Sequence, residues 1–217
     1  MQFDEAYYAS VYGNYAKQNP ARKLRFYRTL LERHVNGAAP RVLDLGCAFG
    51  LFLASLDARY RRYGVDASAY AVRQAAARTP EARFAVGDCA APPFAGPFDA
   101  IVAFDVLEHI PDLEGTLDFI ASSLAPGGVL IFVVPVYDGP LGPIVRLLDH
   151  DPTHVHKHGR RWWLDRIASR FEVLEWTGIL RYLIPPGYYL HAPSRQIRTF
   201  SPAIAVAARC YTRLKPC

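Results

Sequence analysis

From residue 20 to about residue 176, two kinds of stretch alternate: amphipathic ones whose apolar residues recur every three or four positions, and short runs that are apolar throughout. The first rhythm suits a helix with one buried face and the second a strand covered on both faces. Their alternation predicts a mainly parallel sheet between layers of helices. Leu24, Tyr27, Leu30, Leu31 and Val35 fall at helical spacing after Asn19-Pro20, an N-cap followed by proline at the first helical position, and Asn36-Gly37 stops the pattern. Strands are predicted over 41–45, 63–65, 84–86, 98–104 and 129–134. Helices are predicted over 51–58, from Ser68 as N-cap to Arg78, and over 113–124, where Leu113, Leu117, Ile120 and Leu124 share a face. Residues 136–160 carry prolines, glycines and four histidines without clear periodicity, which predicts an inserted lid; a loop that long is usually functional. Residues 163–169 read as a helix, and 171–176 and 203–208 as strands separated by an aromatic insertion over 180–200. A return connection would run the last strand antiparallel between its neighbours.

Composition narrows the class. A chain of 217 residues, 51% hydrophobic and 21% charged, can close one sizeable core, which excludes disordered and fibrous proteins. No apolar run approaches the roughly 20 residues that span a bilayer, and residues 1–10 carry acids and no apolar core, so a soluble cytoplasmic protein is expected. Cys47, Cys89, Cys210 and Cys217 share no short repeated spacing and read as reduced thiols. The net charge of +5 mildly favours an anionic partner. Arg22, Lys23, Arg25, Arg28 and Arg33, and the second group Lys157, Arg160 and Arg161, read as solvated faces. No nucleic-acid motif accompanies them, so a nucleic-acid partner is not expected.

The chemistry concentrates where strands end. In Arg41-Val42-Leu43-Asp44-Leu45-Gly46-Cys47-Ala48-Phe49-Gly50 a buried strand carries a carboxylate into a glycine-punctuated turn, and the following helix aims its first amides at the same spot. Twenty-two residues after Asp44, Gly64-Val65-Asp66 ends a second strand in an acid, the distance at which a βαβ unit delivers a carboxylate to ribose hydroxyls. Glycine turn and second-strand acid together point to a nucleoside cofactor. With Gly87-Asp88-Cys89, Phe98-Asp99-Ala100-Ile101-Val102 followed by Leu107-Glu108-His109-Ile110, and Leu124-Ala125-Pro126-Gly127-Gly128, the series over roughly residues 40–135 resembles the class I S-adenosylmethionine-dependent methyltransferases.

That resemblance implies a Rossmann-like, doubly wound α/β fold: a seven-stranded, mainly parallel sheet with one antiparallel strand near the C-terminus and helices on both faces. It implies a single domain over 1–217, with a cap segment and helix over 1–36, a cofactor core over 40–135 and substrate-side insertions over 136–160 and 180–200. Asp44 and the Gly46, Cys47, Ala48 and Gly50 turn would face the methionine part of S-adenosylmethionine. Asp66, next to Ala67, would take the ribose hydroxyls, Asp88 with the Cys89 amide would read adenine, and Phe104 and Asp105 would line the floor. Ala48 stands where many members have glycine.

The sulfonium is an activated electrophile, so placement of the nucleophile dominates the rate, and an oxygen nucleophile also needs a base. His154, in a lid expected to fold over the carboxyl ends of the strands, is the candidate base, with His109 in reserve, because imidazole titrates near working pH. Tyr8, Tyr12, His156 and Tyr188 are candidate substrate contacts, and Tyr7 and Tyr15 belong to the same N-terminal tyrosine group. His154, His156 and His158 could share one face of an extended segment. Lys157 among them and the lack of a second ligand cluster argue against a metal, and none is expected. Thirteen tyrosines and three tryptophans suggest an enclosed apolar cavity for a small acceptor such as a metabolite or sugar, with oxygen ahead of nitrogen or sulfur, in a monomer or homodimer. Two readings compete: an NAD-dependent oxidoreductase, which fits less well because Leu53 occupies the third-glycine position, and a non-catalytic cofactor-binding subunit.

Overall fold

The computed structural model describes residues 15–149, 151–184 and 188–211, without the side chains of residues 16 and 182–189. The elements follow one another as α1 (Tyr15–Gln18), α2 (Ala21–His34), β1 (Arg41–Leu45), α3 (Leu51–Ser55), β2 (Arg61–Asp66), α4 (Ala69–Arg78), β3 (Arg83–Val86), β4 (Phe98–Phe104), a 3-10 turn (Leu107–His109), α5 (Leu113–Ser123), β5 (Leu124–Pro135), α6 (Gly142–Leu148), α7 (Arg160–Ala168), β6 (Phe171–Ile184), β7 (Tyr188–Ser194) and β8 (Ala203–Cys210). Among the described residues eight strands form one sheet in the order β3-β2-β1-β4-β5-β8-β6-β7. β1 to β5 pair in parallel, whereas β8 runs antiparallel between β5 and β6, as the sequence predicts.

The sheet has one strand more than expected. β6 continues to Ile184 and turns back as β7, so most of the stretch read as an aromatic insertion is an antiparallel hairpin with Ile184 opposite Tyr188. The fold thus carries two strands, β7 and β8, against the direction of the others. The segment read as an inserted lid without clear periodicity contains α6, and α3 is one turn shorter than expected, ending where Leu56 turns extended.

Strand alternation sorts the core onto the two faces. Leu43, Leu45, Ile101 and Phe132 pack with Leu117, Ile120 and Trp163 on one side. Val42, Val102, Ile131 and Val133 pack with Tyr27, Leu30, Leu31 and Leu53 on the other. β8 brings Ala203, Ala205, Ala207 and Ala208, all buried, into this double-sided position. Local signals behave as expected at α4, where the Ser68 hydroxyl accepts the Ala71 N–H at 3.2 Å, and at α5, where Asp112 accepts the Gly115 N–H at 3.0 Å. At α2 the prediction shifts by one residue: Pro20 is the N-cap, and the Asn19 amide donates back to the Tyr15 carbonyl.

A buried histidine links β7 to α2. His191 packs its ring against Phe26 and Tyr27, and neither ring nitrogen has a hydrogen-bond partner among the described residues. Burial, reinforced by the Lys23 and Arg181 cations, pulls its pKa down to about 3. Below the ordinary value of about 6.5 the unfolded chain takes up a proton that the folded chain refuses. The histidine therefore contributes full stability above about 6.5 and loses it as pH falls toward about 3. Thermal melts of His191→Phe should show a flatter acid limb than the parent, by up to about 1.4 kcal/mol per pH unit in that window. Parallel acid limbs would show that His191 is not the titrating group.

Candidate active site

The carboxyl ends of β1, β2 and β4 open onto one cavity of about 960 Å³. This is where open α/β sheets bind ligands, because the loops there leave backbone and side chains facing a shared crevice. Its wall holds Asp44, Gly46, Cys47, Ala48, Asp66, Ala67, Asp88, Cys89, Phe104 and Asp105, so all but one of the expected cofactor residues meet there. The exception is Gly50, absent from the cavity wall: it is the left-handed N-cap of α3, and a Cβ would lie 2.9 Å from the Ala75 Cβ. Packing against α4 is what holds this position to glycine. Gly46, at φ +67, faces Val106, whose Cγ2 would be 2.4 Å from an added Cβ. Gly46→Ala should therefore cost about 1 to 3 kcal/mol, read as a lowered Tm that S-adenosylmethionine restores poorly. An unchanged melt would mean that the turn has room to spare.

Two carboxylates dominate the closed end. Asp66 is buried and holds the turn together, with Oδ2 accepting the Ala48 N–H at 2.8 Å and Oδ1 accepting the Ser68 N–H at 2.9 Å. Asp44 is buried beside it, and burial together with the Asp66 charge pushes its pKa well above the usual carboxylate range. Burial, with Asp44 and Asp66, likewise pushes Tyr15 up, and burial with Asp66 raises Cys89 to about 12. Ala48 takes a positive φ of 45, and its methyl is accommodated against Ala71. Asp88 is exposed at the rim, its Oδ1 accepting the Ala90 N–H at 2.8 Å, so it caps its turn while also lining the cavity.

The open end has two cations, Lys23 and Arg181, that the sequence did not place there. Asp105, also at positive φ, pairs with Arg181 from β6 and lies 3.9 Å from the Lys23 ammonium. Burial would raise the Asp105 pKa, but Arg181 and Lys23 outweigh it and hold the carboxyl below its ordinary range. Lys23, read from the sequence as part of a solvated helix face, is 7% exposed, and burial lowers its pKa to about 8. Tyr27, on the same helix, stacks on Phe104 at 4.1 Å between centroids and braces the floor.

His109 and His154 meet at this end, with ring centroids 4.6 Å apart. The Glu108 carbonyl accepts the amides of both Val155 and His156, at 2.9 and 3.1 Å, and pins the lid to the 3-10 turn. Thr153 donates its hydroxyl to Asp151 at 2.5 Å, so it can only accept from His109 Nδ1 at 2.8 Å. His154 Nδ1 lies 2.9 Å from Asp149, which also accepts from Tyr137 at 2.6 Å and pairs with Lys157 at 2.8 Å. Both rings thus direct an Nδ1 proton at these oxygens. Burial and the neighbouring His154 lower the His109 pKa, which keeps that ring neutral.

His156 does not join them. Its Nε2 meets the Ile110 carbonyl at 2.8 Å and its ring stacks on Trp162, as does that of His158, away from the cavity. His156 thus lies off the cavity wall, and the shared face of His154, His156 and His158 is not formed. A turn at His154, whose N–H reaches the Asp151 carbonyl at 3.4 Å, breaks the strand alternation on which that shared face rested. Tyr8 and Tyr12 lie outside the described residues, as does the side chain of Tyr188.

A family model described as a methyltransferase domain matches residues 15–177. The chain belongs to this family, the class I S-adenosylmethionine-dependent methyltransferases. It is 31% identical over 110 residues to the ubiquinone biosynthesis O-methyltransferase of Chromobacterium violaceum, covering 47% of each chain. It is 38% identical over 111 residues to the trans-aconitate 2-methyltransferase of Variovorax paradoxus, covering 49% of this chain and 42% of that one. The chain spans about half the length of the curated relatives it matches. The methyltransferase solved in complex with the Trm112 methyltransferase activator of Haloferax volcanii shares the fold, with a TM-score of 0.72 at 21% identity over 96% of both chains. No described helix is long and apolar enough to cross a membrane.

Proposed function

We propose that this protein transfers the methyl group of S-adenosylmethionine to an oxygen of a small cytosolic acceptor. The observation that carries this reading is one cavity in which a closed end rich in carboxylates runs into an open end bearing two imidazoles whose rings lie 4.6 Å apart. The closed end fits the cofactor chemically. Two buried carboxylates side by side, with Asp44 held well above its ordinary range by burial and the Asp66 charge, invite a cationic ligand rich in hydroxyl donors. Asp44 with Gly46, Cys47 and Ala48 would hold the methionine part, Asp66 and Ala67 the ribose, Asp88 and the Cys89 amide the adenine, over a floor of Phe104 and Asp105. Bound there, the cofactor supplies an activated methyl group.

The protein's own contribution is placement and one proton. The acceptor hydroxyl would lie against the His109–His154 pair, in line with the methyl. His154 takes the hydroxyl proton on Nε2 as the oxygen–methyl bond forms, and Asp149 stabilises the resulting imidazolium through Nδ1. Tyr137 and Lys157 fix Asp149 for that task. Lys23 and Arg181, close to Asp105, add positive potential suited to an acceptor bearing a carboxylate or phenolate. The name of the Chromobacterium relative, an O-methyltransferase, supports oxygen over nitrogen or sulfur. Purified protein incubated with S-adenosylmethionine and pools of phenols, hydroxy acids, polycarboxylates and sugars should form S-adenosylhomocysteine with an oxygen-acceptor pool. Turnover confined to amines or thiols would move the acceptor atom. Cofactor binding without turnover in any pool would favour a non-catalytic subunit.

A further inference from the structure

We infer that Glu108, His109 and His154 form a site for a first-row divalent cation at the open end of the cavity. The anomaly that demands an explanation is Glu108. It is fully buried, it lines the cavity, and neither carboxylate oxygen has a hydrogen-bond partner among the described residues. An orphaned carboxylate in that setting is costly unless a cation or a proton accompanies it. One oxygen of Glu108 and one ring nitrogen from each of His109 and His154 all lie within 4.8 Å of one another, a spread that a modest inward movement converts into a coordination sphere.

The surroundings are those of a ligand shell. A ligating imidazole donates its other N–H to a carboxylate or hydroxyl, which sets the tautomer and ring orientation. Both rings do so here: His154 Nδ1 toward Asp149 and His109 Nδ1 toward Thr153, which Asp151 holds in turn. Two imidazoles and one carboxylate, with the remaining positions facing a cavity, suit zinc, iron, cobalt, nickel or manganese rather than magnesium or calcium. The sequence argued against a metal because Lys157 lies among the lid histidines and no second ligand cluster accompanies them. The fold supplies Glu108 and His109 from the turn after β4, through the two lid amides that the Glu108 carbonyl binds.

This inference rests on the acceptor-site reading and replaces its proton step. A ring that ligates a cation cannot also take the acceptor's proton. With the cation bound, the acceptor oxygen is therefore activated by coordination: its pKa falls and its proton leaves to cavity water. Protein stripped with a chelator and titrated with Co²⁺ should bind one ion per chain, with visible absorption of low-coordinate cobalt. Zn²⁺ should displace it. Glu108→Gln, which keeps the side chain's shape, should weaken binding at least 10-fold, and Asp149→Asn, one shell out, by about 10-fold to 100-fold. Calorimetry with S-adenosylmethionine on the same preparations reports whether each variant is folded and tests the cofactor reading separately. Cofactor binding without stoichiometric Co²⁺, or Co²⁺ binding indifferent to Glu108→Gln and Asp149→Asn in folded variants, overturns the cation site alone. Loss of cofactor binding by the parent overturns the function proposed above.

Discussion

His154→Ala should lower turnover by about 100-fold to 10,000-fold while leaving affinity for S-adenosylmethionine nearly unchanged. The separation follows from geometry. His154 sits at the open end with His109 and Asp149, whereas the cofactor's hydroxyl and cationic groups would be held by Asp44 and Asp66 at the closed end. Removing the imidazole deletes the group that activates the acceptor, as base or as ligand, and leaves the binding turn intact. His154→Gln keeps a polar side chain there without an imidazole, so its loss should resemble that of alanine. Single-turnover methyl transfer beside cofactor calorimetry makes the check. Full turnover across pH in a folded variant would remove His154 from the mechanism and leave His109 as the residue to test.

Asp66→Ala should reduce affinity for S-adenosylmethionine and S-adenosylhomocysteine by roughly one to two decades. The charge-assisted hydrogen bonds it would offer the ribose contribute about 1.5 to 3 kcal/mol. The structure adds a second route to the same loss, because Asp66 also holds the Ala48 and Ser68 amides that shape the turn. Asp66→Asn separates the two: the amide oxygen can keep one backbone bond while the charge is lost. Affinity unchanged in both variants would place the ribose elsewhere.

The first five strands and the carboxylate row were legible in the sequence because their signals are local. Parallel strands buried on both faces read as apolar runs, and Asp44, Asp66 and Asp88 follow or end such runs at βαβ spacing. The β6–β7 hairpin was not, because at the end of the sheet aromatic, charged and proline residues mix and no clean period marks a strand. The open end was legible only in part: His154, His109 and Asp105 were candidates, whereas Lys23, Glu108 and Arg181 were not. Lys23, Asp105, Glu108, His154 and Arg181 are brought together by a helix, a turn, a lid and a strand, and no spacing along the chain encodes that meeting. Lys23 shows the cost: its helix has a polar face, and only the fold shows that this position turns inward. His156 shows the converse, since a two-residue period matters only where the backbone is a strand.

The central claim is that the closed end of this cavity is a single S-adenosylmethionine site. Isothermal titration of the parent protein with S-adenosylmethionine should give one site per chain. S-adenosylhomocysteine should compete for it, and Tm should rise with either ligand as mass action requires. Absence of binding by both, together with tight binding of NAD, would contradict the account.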